Sequence, residues 1–281
     1  MRKDPKHLNV SIVLFKNDIE DVKNAIQSSL HSELINKLYL IDNSPTVEFE
    51  SLNNIDKRII YIFNNSNLGF GKAHNIALRK TIEEGISYHL VLNPDVYFKN
   101  GVLEDLYKFM EENKDVGLVA PKILYPSGEI QYQCKLLPTP FDLFGRRFLS
   151  FWPLKKYIDR RNEIYELRFT KYQKIMDVPS FQGSFLFIRT NILKQAGLFD
   201  ERFFMYLEDI DLCRRIKKIS RTIFYPYAEI YHTWERGSYK NKKLLLYHIV
   251  SAVKYFNKWG WLIDKERKKI NYDTLKQFGF H

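Results

Sequence analysis

The stretch YHLVLNPDVYF, residues 88–98, has the pattern of a buried strand that stops at a polar turn. Leu90, Val91 and Leu92 are apolar without interruption, and Asn93, Pro94 and Asp95 follow them directly. Proline fixes its own φ and donates no backbone hydrogen bond, so it ends a strand and holds the next residue at a defined angle. The stretch therefore predicts a strand end that presents the Asp95 carboxylate, although the same residue types are common in ordinary turns.

Strand and helix patterns alternate through the first hundred residues. Strand patterns cover 8–15, 38–42 and 58–63, and helical spacing covers 18–30 and 70–84. This order predicts an α/β fold with a mostly parallel central sheet flanked by helices. Ligands of such sheets bind outside the carboxyl ends of the strands. Three polar clusters fall at predicted strand ends: Asp42 with Asn43, Asn64 to Gly71, and Asn93 to Asp95.

The second half of the chain predicts further strands and helices. We expect a helix over 102–112, a strand with a hairpin near 126–128, and a strand over 178–190. A short helix ending near Gly197 is expected next. The phrase YLEDIDLCRRIKK, residues 206–218, then predicts a helix with acids in its first turn and bases in its last. That charge order complements the helix dipole. Two short strands, 221–226 and 228–232, lead to a basic helical C-terminal segment.

The totals are those of a globular protein with 45% apolar residues in 281. Cys134 and Cys213 are far apart and lack neighbours at metal-ligand spacing, so neither a disulfide framework nor a zinc site is indicated. The N-terminal apolar run is interrupted and the longest other apolar stretch, 244–253, is half the length of a membrane span. A cytoplasmic protein without a signal peptide or transmembrane helix is expected.

The net charge of +11 is concentrated in two segments that are also rich in aromatic residues. Residues 135–174 carry ten Lys or Arg and four acids, and residues 236–276 carry eleven and three. Cations interleaved with Phe, Tyr and Trp suit an anionic membrane surface, nucleic acid, or simply a solvated basic face. Residues 141–161 are the candidate membrane-docking or lid element. Its proposed insertion group is aromatic: Phe144, Phe148, Phe151 and Trp152.

Seven phrases together resemble one family. They are SIVLFKN, LIDNS, NLGFGKAHNIAL, LVLNPDV, GSFLFIRT, GLFDERFFMYLEDIDLCRR and YHTWERGS, in this order between residues 8 and 258. The set is similar to the family 2 glycosyltransferases of the GT-A fold, most closely their rhamnosyltransferase-like bacterial members. The resemblance implies a catalytic domain over 1–235, with a nucleotide-binding half to about 120 and an acceptor-side half that contains a basic aromatic insertion at about 136–174. The segment 236–281 would be a helical extension packed on the same domain.

The resemblance also implies roles for individual residues. Asp209 matches the general base of the inverting members, and Glu208 is the second catalytic residue, which would orient the acceptor or support Asp209. Asp95 matches a metal-binding Asp, in the short form Asn-Pro-Asp, and would hold Mg²⁺ or Mn²⁺ with His232, although a single His is more often structural. Arg214 neutralises a phosphate in one interpretation and pairs with acids in the other. The residues implied to line the nucleotide-sugar site are Asp42, Asn43, Asn67, Gly69, Gly71, Asn75, Asn93, Asp95, Gly183 and Arg214.

The function implied is an inverting transfer of a sugar from a nucleoside diphosphate to a glycan or glycolipid hydroxyl. The preferred donor is dTDP-L-rhamnose, and UDP-linked galactose, glucose, N-acetylhexosamine or galactofuranose are alternatives. Expected partners are a bacterial cell-surface or polyprenol-linked glycan acceptor, an anionic membrane at the inner face of the cell membrane, and a possible second copy of the chain. Nucleic acid is not expected, but a nucleic-acid-binding α/β protein and a catalytically silent relative are the other hypotheses.

Overall fold

The computed structural model describes residues 7–145, 155–233 and 241–280. In these ranges the strands are β1 (Leu8–Leu14), β2 (Ile35–Asp42), β3 (Ile59–Phe63), β4 (Tyr88–Leu92), β5 (Val96–Phe98), β6 (Val116–Leu124), β7 (Met176–Asp177), β8 (Phe185–Arg189) and β9 (Arg221–His232). The α-helices are α1 (Ile19–Leu30), α2 (Phe70–Glu83), α3 (Val102–Glu112), α4 (Lys155–Tyr165), α5 (Thr190–Ala196), α6 (Glu208–Lys217), α7 (Lys242–Trp259) and α8 (Lys265–Lys276).

All nine strands belong to one sheet with the order β3-β2-β1-β4-β8-β6-β9-β5, and β7 pairs with β9. The strands β3, β2, β1 and β4 are parallel, as the alternating strand and helix patterns predict. In this half Val10 of β1 pairs with Leu38 of β2 and Leu90 of β4. The carboxyl ends of these four strands therefore lie along one edge of the sheet.

The second half of the sheet is mixed. Strand β8 runs antiparallel to both β4 and β6, and β9 runs parallel to β6 but antiparallel to β5. The predicted α/β fold with a central sheet flanked by helices is thus confirmed. The sheet is parallel over the first four strands in the order and mixed over the rest, where β6 and β9 are parallel neighbours. Helix α1 connects β1 with β2 and helix α2 connects β3 with β4, the kind of crossover that parallel strands require.

Two strand predictions in this half are corrected. The stretch 221–232 is one strand, β9, and not two, because its pairing with β6 continues past Pro226 through a register irregularity opposite Pro121 and Lys122. The strand predicted over 178–190 begins only at Phe185. Residues before it leave the sheet and pair elsewhere, as the hydrogen bond from the Lys135 amide to the Ser180 carbonyl shows.

The two faces of the parallel half are buried against different helices. Leu38 and Leu40 of β2 join a cluster with residues of α1 and α3, whereas Tyr39 and Ile41 join a cluster with Ala73 and Ala77 of α2. This alternation follows from the two-residue period of a strand. Because β1 and β4 are buried on both faces, their polar residues Asn9, Ser11 and His89 are also buried, and each is hydrogen-bonded to another side chain.

The C-terminal segment is attached to the loop before α6. Ala252, Tyr255 and Phe256 of α7 form a buried cluster with Phe203, Leu207 and Ile210, together with Leu137 and Leu143. Within the described ranges no helix combines the length and apolarity that a membrane span needs. Phe148, Phe151 and Trp152 of the predicted insertion group lie outside the described residues, whereas Phe144 lies within them.

Candidate active site

The ends of β2 and β3 are joined by polar side chains. The Asp42 carboxylate is fully buried. It accepts hydrogen bonds from the Tyr61 hydroxyl at 2.6 Å and from the Ser44 amide at 2.8 Å. Asn43 donates to the Gly69 carbonyl at 3.3 Å and accepts from Asn64 at 2.8 Å. The hydrogen bond to Asp42 and burial raise the pKa of Tyr61, burial having the larger effect. In this arrangement Asp42 positions Tyr61, and its predicted contact with a nucleotide stays a prediction.

The two glycines of NLGFGKAHN lie where the backbone contacts another loop of the protein, residues 199–204. Gly69 has φ +81°, and a Cβ there would lie 2.1 Å from the Phe204 carbonyl oxygen. A Cβ on Gly71 would lie 2.8 Å from Cβ of Phe199. Asn67 accepts the Gly69 amide at 2.9 Å and so shapes the same turn. These glycines are required because the backbone approaches the 199–204 loop closely, and their predicted place in the nucleotide-sugar site stays a prediction.

Asn75 is bound to the same 199–204 loop and does not line an open pocket. It is buried; its amide nitrogen donates to the Phe199 carbonyl at 2.9 Å and to the Glu201 carboxylate at 3.0 Å. Its amide oxygen accepts the Phe199 amide at 3.0 Å. Both ends of the Asn75 side chain are therefore engaged by the loop, which corrects its assignment to the nucleotide site.

Asp95 and His232 meet because β5 pairs with β9, which places Val96 opposite His232. His232 Nε2 lies 3.3 Å from Asp95 Oδ1 and 3.5 Å from Asn93 Nδ2. Gln131 donates from its amide nitrogen to the His232 carbonyl at 2.6 Å, and its amide oxygen faces His232 Nδ1 at 3.0 Å. That orientation of Gln131 assigns a proton to Nδ1, so in the neutral ring Nε2 is the nitrogen that can bind a cation beside Asp95.

Two acceptors that face each other at 3.3 Å are compatible with a cation between them. One carboxylate with an imidazole is a partial ligand set, and the described residues contain no group of three or more His, Cys, Asp or Glu that could complete it. Divalent cations of substrate phosphates are commonly held in this way, by one or two protein ligands plus phosphate oxygens and water. The pair Asp95 and His232 thus fits a metal that is bound together with a diphosphate.

Asp209 is connected to the Asp95 turn through two consecutive residues at the start of β8. The Gly183 amide donates to Asp209 Oδ2 at 2.9 Å. The next residue, Ser184, accepts the Asn93 amide on its carbonyl at 2.9 Å. A Cβ on Gly183 would lie 3.2 Å from Cβ of Asp209, so a side chain there would press on the carboxylate. The two carboxylates predicted to share a site are therefore brought to the same edge of the sheet.

The backbone that delivers Asp209 is strained. Tyr206 and Leu207 have φ of 71° and 67°, in the left-handed region that side chains other than glycine rarely adopt. Burial of Leu207 and packing of the Tyr206 ring on His248 of α7 at 5.5 Å hold this turn. Residues held in such conformations cluster at functional sites. The strain at Tyr206 and Leu207 sits directly before Glu208 and Asp209, where α6 begins.

The two adjacent acids have different environments. Asp209 is half-buried; burial raises its pKa, and the Ile210 and Gly183 amides oppose that shift. Glu208 is 4% exposed, and its Oε2 has no hydrogen-bond partner in the part of the chain that the structure describes. Burial first and the Asp209 charge second raise the pKa of Glu208 well above its ordinary value. Of the protonation states of this pair, a neutral Glu208 beside an ionised Asp209 has the lowest free energy, because the more deeply buried carboxyl stays uncharged.

We expect Glu208→Gln to increase the free energy of unfolding progressively as the pH rises above 4.5. Below that pH the carboxyl is protonated in both states, and above it the unfolded chain releases a proton that the folded chain retains. Wild-type stability then falls by about 1.4 kcal/mol per pH unit until the folded-state pKa is passed, and a glutamine has no such loss. Urea unfolding at several pH values measures the effect, with exposed Glu83→Gln as the control. A difference independent of pH would contradict it.

Arg214 is a structural residue in this fold. Its guanidinium donates to both oxygens of Asp264 at 2.8 Å and to Glu266 at 2.9 Å, and it stacks on Trp259 at 4.1 Å. It is 1% exposed. Of the two interpretations in the sequence, pairing with acids is the one observed, and the assignment of Arg214 to the nucleotide-sugar site is corrected. Its partners come from the C-terminal segment, too distant in sequence to be inferred.

Two further residues, Gln131 and Ser184, contact the candidate site residues and are not predicted by the sequence patterns. Gln131 orients His232, and Ser184 lies between the Asp95 turn and Asp209. The Ser184 hydroxyl is buried without a hydrogen-bond partner among the described residues. Nothing in the local sequence marks Gln131, whereas Ser184 adjoins Gly183 in the phrase GSFLFIRT and could have been included with it.

A parallel half-sheet that ends in Asp95 and a helix that begins at Glu208 and Asp209 define a GT-A-type α/β protein. Residues 11–193 match the model described as glycosyl transferase family 2. The chain belongs to this family.

Two curated relatives extend the comparison. The low-salt glycan biosynthesis hexosyltransferase Agl10 of Haloferax volcanii is 27% identical over 214 residues, 75% of this chain and 62% of the relative. An N-acetylglucosaminyl-diphospho-decaprenol L-rhamnosyltransferase of Mycobacterium tuberculosis is 28% identical over 183 residues, 59% of this chain and 56% of the relative. The chain thus spans about three-fifths of the length of these relatives.

A solved structure supports the fold. The crystal structure of GalNAc-T7 with UDP, GalNAc and Mn²⁺ is similar with a TM-score of 0.62 and 15% identity, covering 90% of this chain and 50% of that one. At this identity the similarity shows the architecture, and the GT-A expectation for the fold is confirmed.

Proposed function

We propose that this protein is an inverting glycosyltransferase that moves a sugar from a nucleoside diphosphate to a hydroxyl group of an acceptor. The observation that carries the proposal is the connection of Asp95 and Asp209 through Gly183 and Ser184 at one edge of the sheet. One carboxylate then faces the diphosphate side and the other the acceptor side of the same crevice. Membership of glycosyl transferase family 2 supports the reaction class.

Asp209 is the proposed general base. Its carboxylate takes the proton of the acceptor hydroxyl while that oxygen forms a bond to the anomeric carbon. The bond from this carbon to the diphosphate oxygen breaks on the opposite face, and the oxygen leaves with the electron pair. One displacement inverts the configuration and needs one base, unlike glycoside hydrolysis with its pair of carboxyl groups. The Gly183 and Ile210 amides hold the Asp209 carboxylate in place for this step.

Asp95 and His232 are the residues that would hold Mg²⁺ or Mn²⁺. A divalent cation there would neutralise charge on the departing diphosphate. Gln131 keeps the His232 ring in the required tautomer, and Asn93 lies beside both ligands. The Mn²⁺ and UDP named for GalNAc-T7 support this assignment. Asn43 and Asn67 shape the adjoining turn in which we place the nucleotide.

The proposed donor is dTDP-L-rhamnose, and the proposed acceptor is a polyprenol-linked or cell-surface glycan. Support comes from the Mycobacterium tuberculosis relative, whose name gives both rhamnosyl transfer and a decaprenol-linked acceptor. The relative named as a hexosyltransferase keeps UDP-linked hexoses in the panel to be tested. Such an acceptor would place the protein at the cytoplasmic face of the membrane.

The test of the reaction class is thermal stabilisation by a panel of nucleoside diphosphates and their sugars, with and without Mn²⁺. Selective stabilisation by dTDP or UDP compounds, followed by sugar transfer to a lipid-linked acceptor extract, is the expected result. Stabilisation by oligonucleotides alone would overturn the proposal in favour of a nucleic-acid binder. Stabilisation by nucleotide sugars with no transfer to any acceptor would indicate a silent relative.

We expect Asp95→Ala to weaken Mn²⁺-dependent binding of a nucleoside diphosphate by about tenfold or more, because the cation loses its charged protein ligand. Isothermal titration with dTDP or UDP, with Mn²⁺ and with EDTA, measures the change. The matched control is Asp105→Ala on exposed α3, which removes an equal charge away from the site. Equal loss of binding in EDTA would show that Asp95 acts without a metal.

A further inference from the structure

The helix α7 has apolar residues on two faces. On its inner face, Ala252, Tyr255 and Phe256 are buried in the hydrophobic core. Its outer face carries a second apolar row with helical spacing, and nothing in the described part of the chain buries it. This outer row consists of Leu246, Val250 and Val253, exposed by 57%, 40% and 37%, with the half-buried Ile249 beside them.

The turn after α7 continues this apolar surface. Trp261, Leu262 and Ile263 are exposed, the last two by 81% and 83%. The Trp261 ring stacks on Phe144 at 6.5 Å, and Phe144 also packs on Phe256. The two basic aromatic segments therefore meet at Phe144 and Trp261, two residues more than a hundred positions apart in the chain. Exposed aliphatic residues in one patch usually mark an interaction surface.

The charge around this patch selects its partner. Helix α7 contains four lysines and no acid, and six lysines of α7 and α8 are exposed: Lys242, Lys243, Lys254, Lys265, Lys268 and Lys269. A second copy packed symmetrically on this surface would bring like charges together. Nucleic acid would match the lysines but not the aliphatic residues. An anionic lipid surface matches both, with lysines at the headgroups and apolar side chains below them.

The patch adjoins the acceptor side of the candidate site. On its inner face α7 packs on the loop that leads to Glu208 and Asp209: the Tyr247 ring contacts Phe204 at 4.7 Å, and the Ser251 hydroxyl donates to the Met205 carbonyl at 2.8 Å. The helix that carries the patch is thus in direct contact, on its other face, with the loop that leads to the proposed base.

We propose that the outer row of α7 and the Trp261–Ile263 turn form a docking surface for an anionic lipid bilayer. Docking on this surface rests on the exposed residues alone; its use, to bring a lipid-linked acceptor to Asp209, rests on the proposed function. The surface differs from the 141–161 element expected in the sequence; among the described residues of that element, Phe144 contacts it through Trp261.

The experiment measures flotation of the purified full chain with vesicles of phosphatidylcholine that contain or lack phosphatidylglycerol, without any substrate. Binding is expected only with phosphatidylglycerol and should weaken with added salt. Leu262→Ser with Ile263→Ser should decrease the partition coefficient about tenfold or more. Lys242→Ser with Lys243→Ser should decrease it about fivefold per lysine. The control is Ile55→Ser with Ile219→Ser, which removes two aliphatic residues that are each 46% exposed elsewhere on the surface and should bind like the parent.

Three results would overturn the docking proposal. They are no vesicle binding by the parent chain, undiminished binding by the Leu262 and Ile263 variant, and a parent dimer that these substitutions convert to monomers while vesicle binding is absent. The last result would assign the patch to a second copy. Because no sugar nucleotide is present, docking can be upheld when the transfer assay fails, and refuted when it succeeds.

Discussion

Asp209→Asn is expected to decrease the turnover number about a hundredfold or more while nucleoside diphosphate binding stays within a few-fold of the parent. The loss is the usual scale for removal of a general base. Asparagine occupies the same space and accepts one of the two amide hydrogen bonds from Gly183 and Ile210, so the local structure is largely retained. Initial rates at saturating donor, together with titration of the nucleotide, measure the two quantities.

The control for this variant is Glu208→Gln, which makes the same chemical change one residue earlier. Because Glu208 is buried and its raised pKa keeps it neutral, its amide should support turnover close to that of the parent. The opposite ranking, with full activity in Asp209→Asn and a large loss in Glu208→Gln, would show that the base is misassigned. Donor binding distinguishes either outcome from misfolding.

The raised pKa of Asp209 also gives the sign of the pH dependence. The base must be ionised to accept the hydroxyl proton, so the rate falls as the pH decreases through its folded-state pKa. Since burial moves that pKa above the ordinary value of 3.8, the acidic limb of the rate profile should lie at higher pH than that of an exposed aspartate. In Asp209→Asn this limb should disappear from the residual rate.

Arg214→Met is expected to decrease the free energy of unfolding by about 3–5 kcal/mol, because it leaves the buried Asp264 carboxylate without its bidentate cation. Methionine retains much of the apolar volume against Trp259, so the loss reports mainly on charge. Chemical denaturation at neutral pH measures the effect. The Michaelis constant for the donor should change little in the folded fraction, since the guanidinium contacts the C-terminal segment.

Two companion variants sharpen the test. Arg202→Met removes an arginine that is 67% exposed on its side chain and should change stability by less than about 1 kcal/mol. Adding Asp264→Asn and Glu266→Gln to Arg214→Met should restore part of the lost stability, because neither acid then remains as an uncompensated charge. If Arg214→Met had unchanged stability and bound the donor more weakly, Arg214 would be a nucleotide-binding residue and not a structural one.

The contrast between Asp95 and Arg214 shows what local sequence can predict. Asp95 follows a buried strand and a proline, two features that are local and that place it at a strand end whatever the rest of the chain does. Arg214 lies in the last turn of a helix, where a cation is favoured by the dipole alone. Its true partners, Asp264 and Glu266, are some fifty residues away, so only the packing of α8 on α6 reveals its use.

The glycine-rich phrase and Asn75 illustrate the same limit. Glycine at 69 and 71 indicates that something approaches the backbone closely, but not whether a ligand or another loop does so. The structure shows the 199–204 loop in that position, and Asn75 binds it as well. The helix boundary at Glu208, by contrast, was predictable because acids in the first turn and bases in the last are a local signal.

By itself the sequence determined the parallel half of the sheet, the strand-end position of Asp95 and the start of the helix that carries Asp209. These features depend on side-chain period, proline and helix-end charge, all of which act within a few residues. Only the tertiary structure decided the antiparallel half, the pairing of β5 with β9 that joins Asp95 to His232, and the Gly183–Ser184 link to Asp209. Such contacts join residues far apart in the chain, and their free energy depends on how the whole core packs.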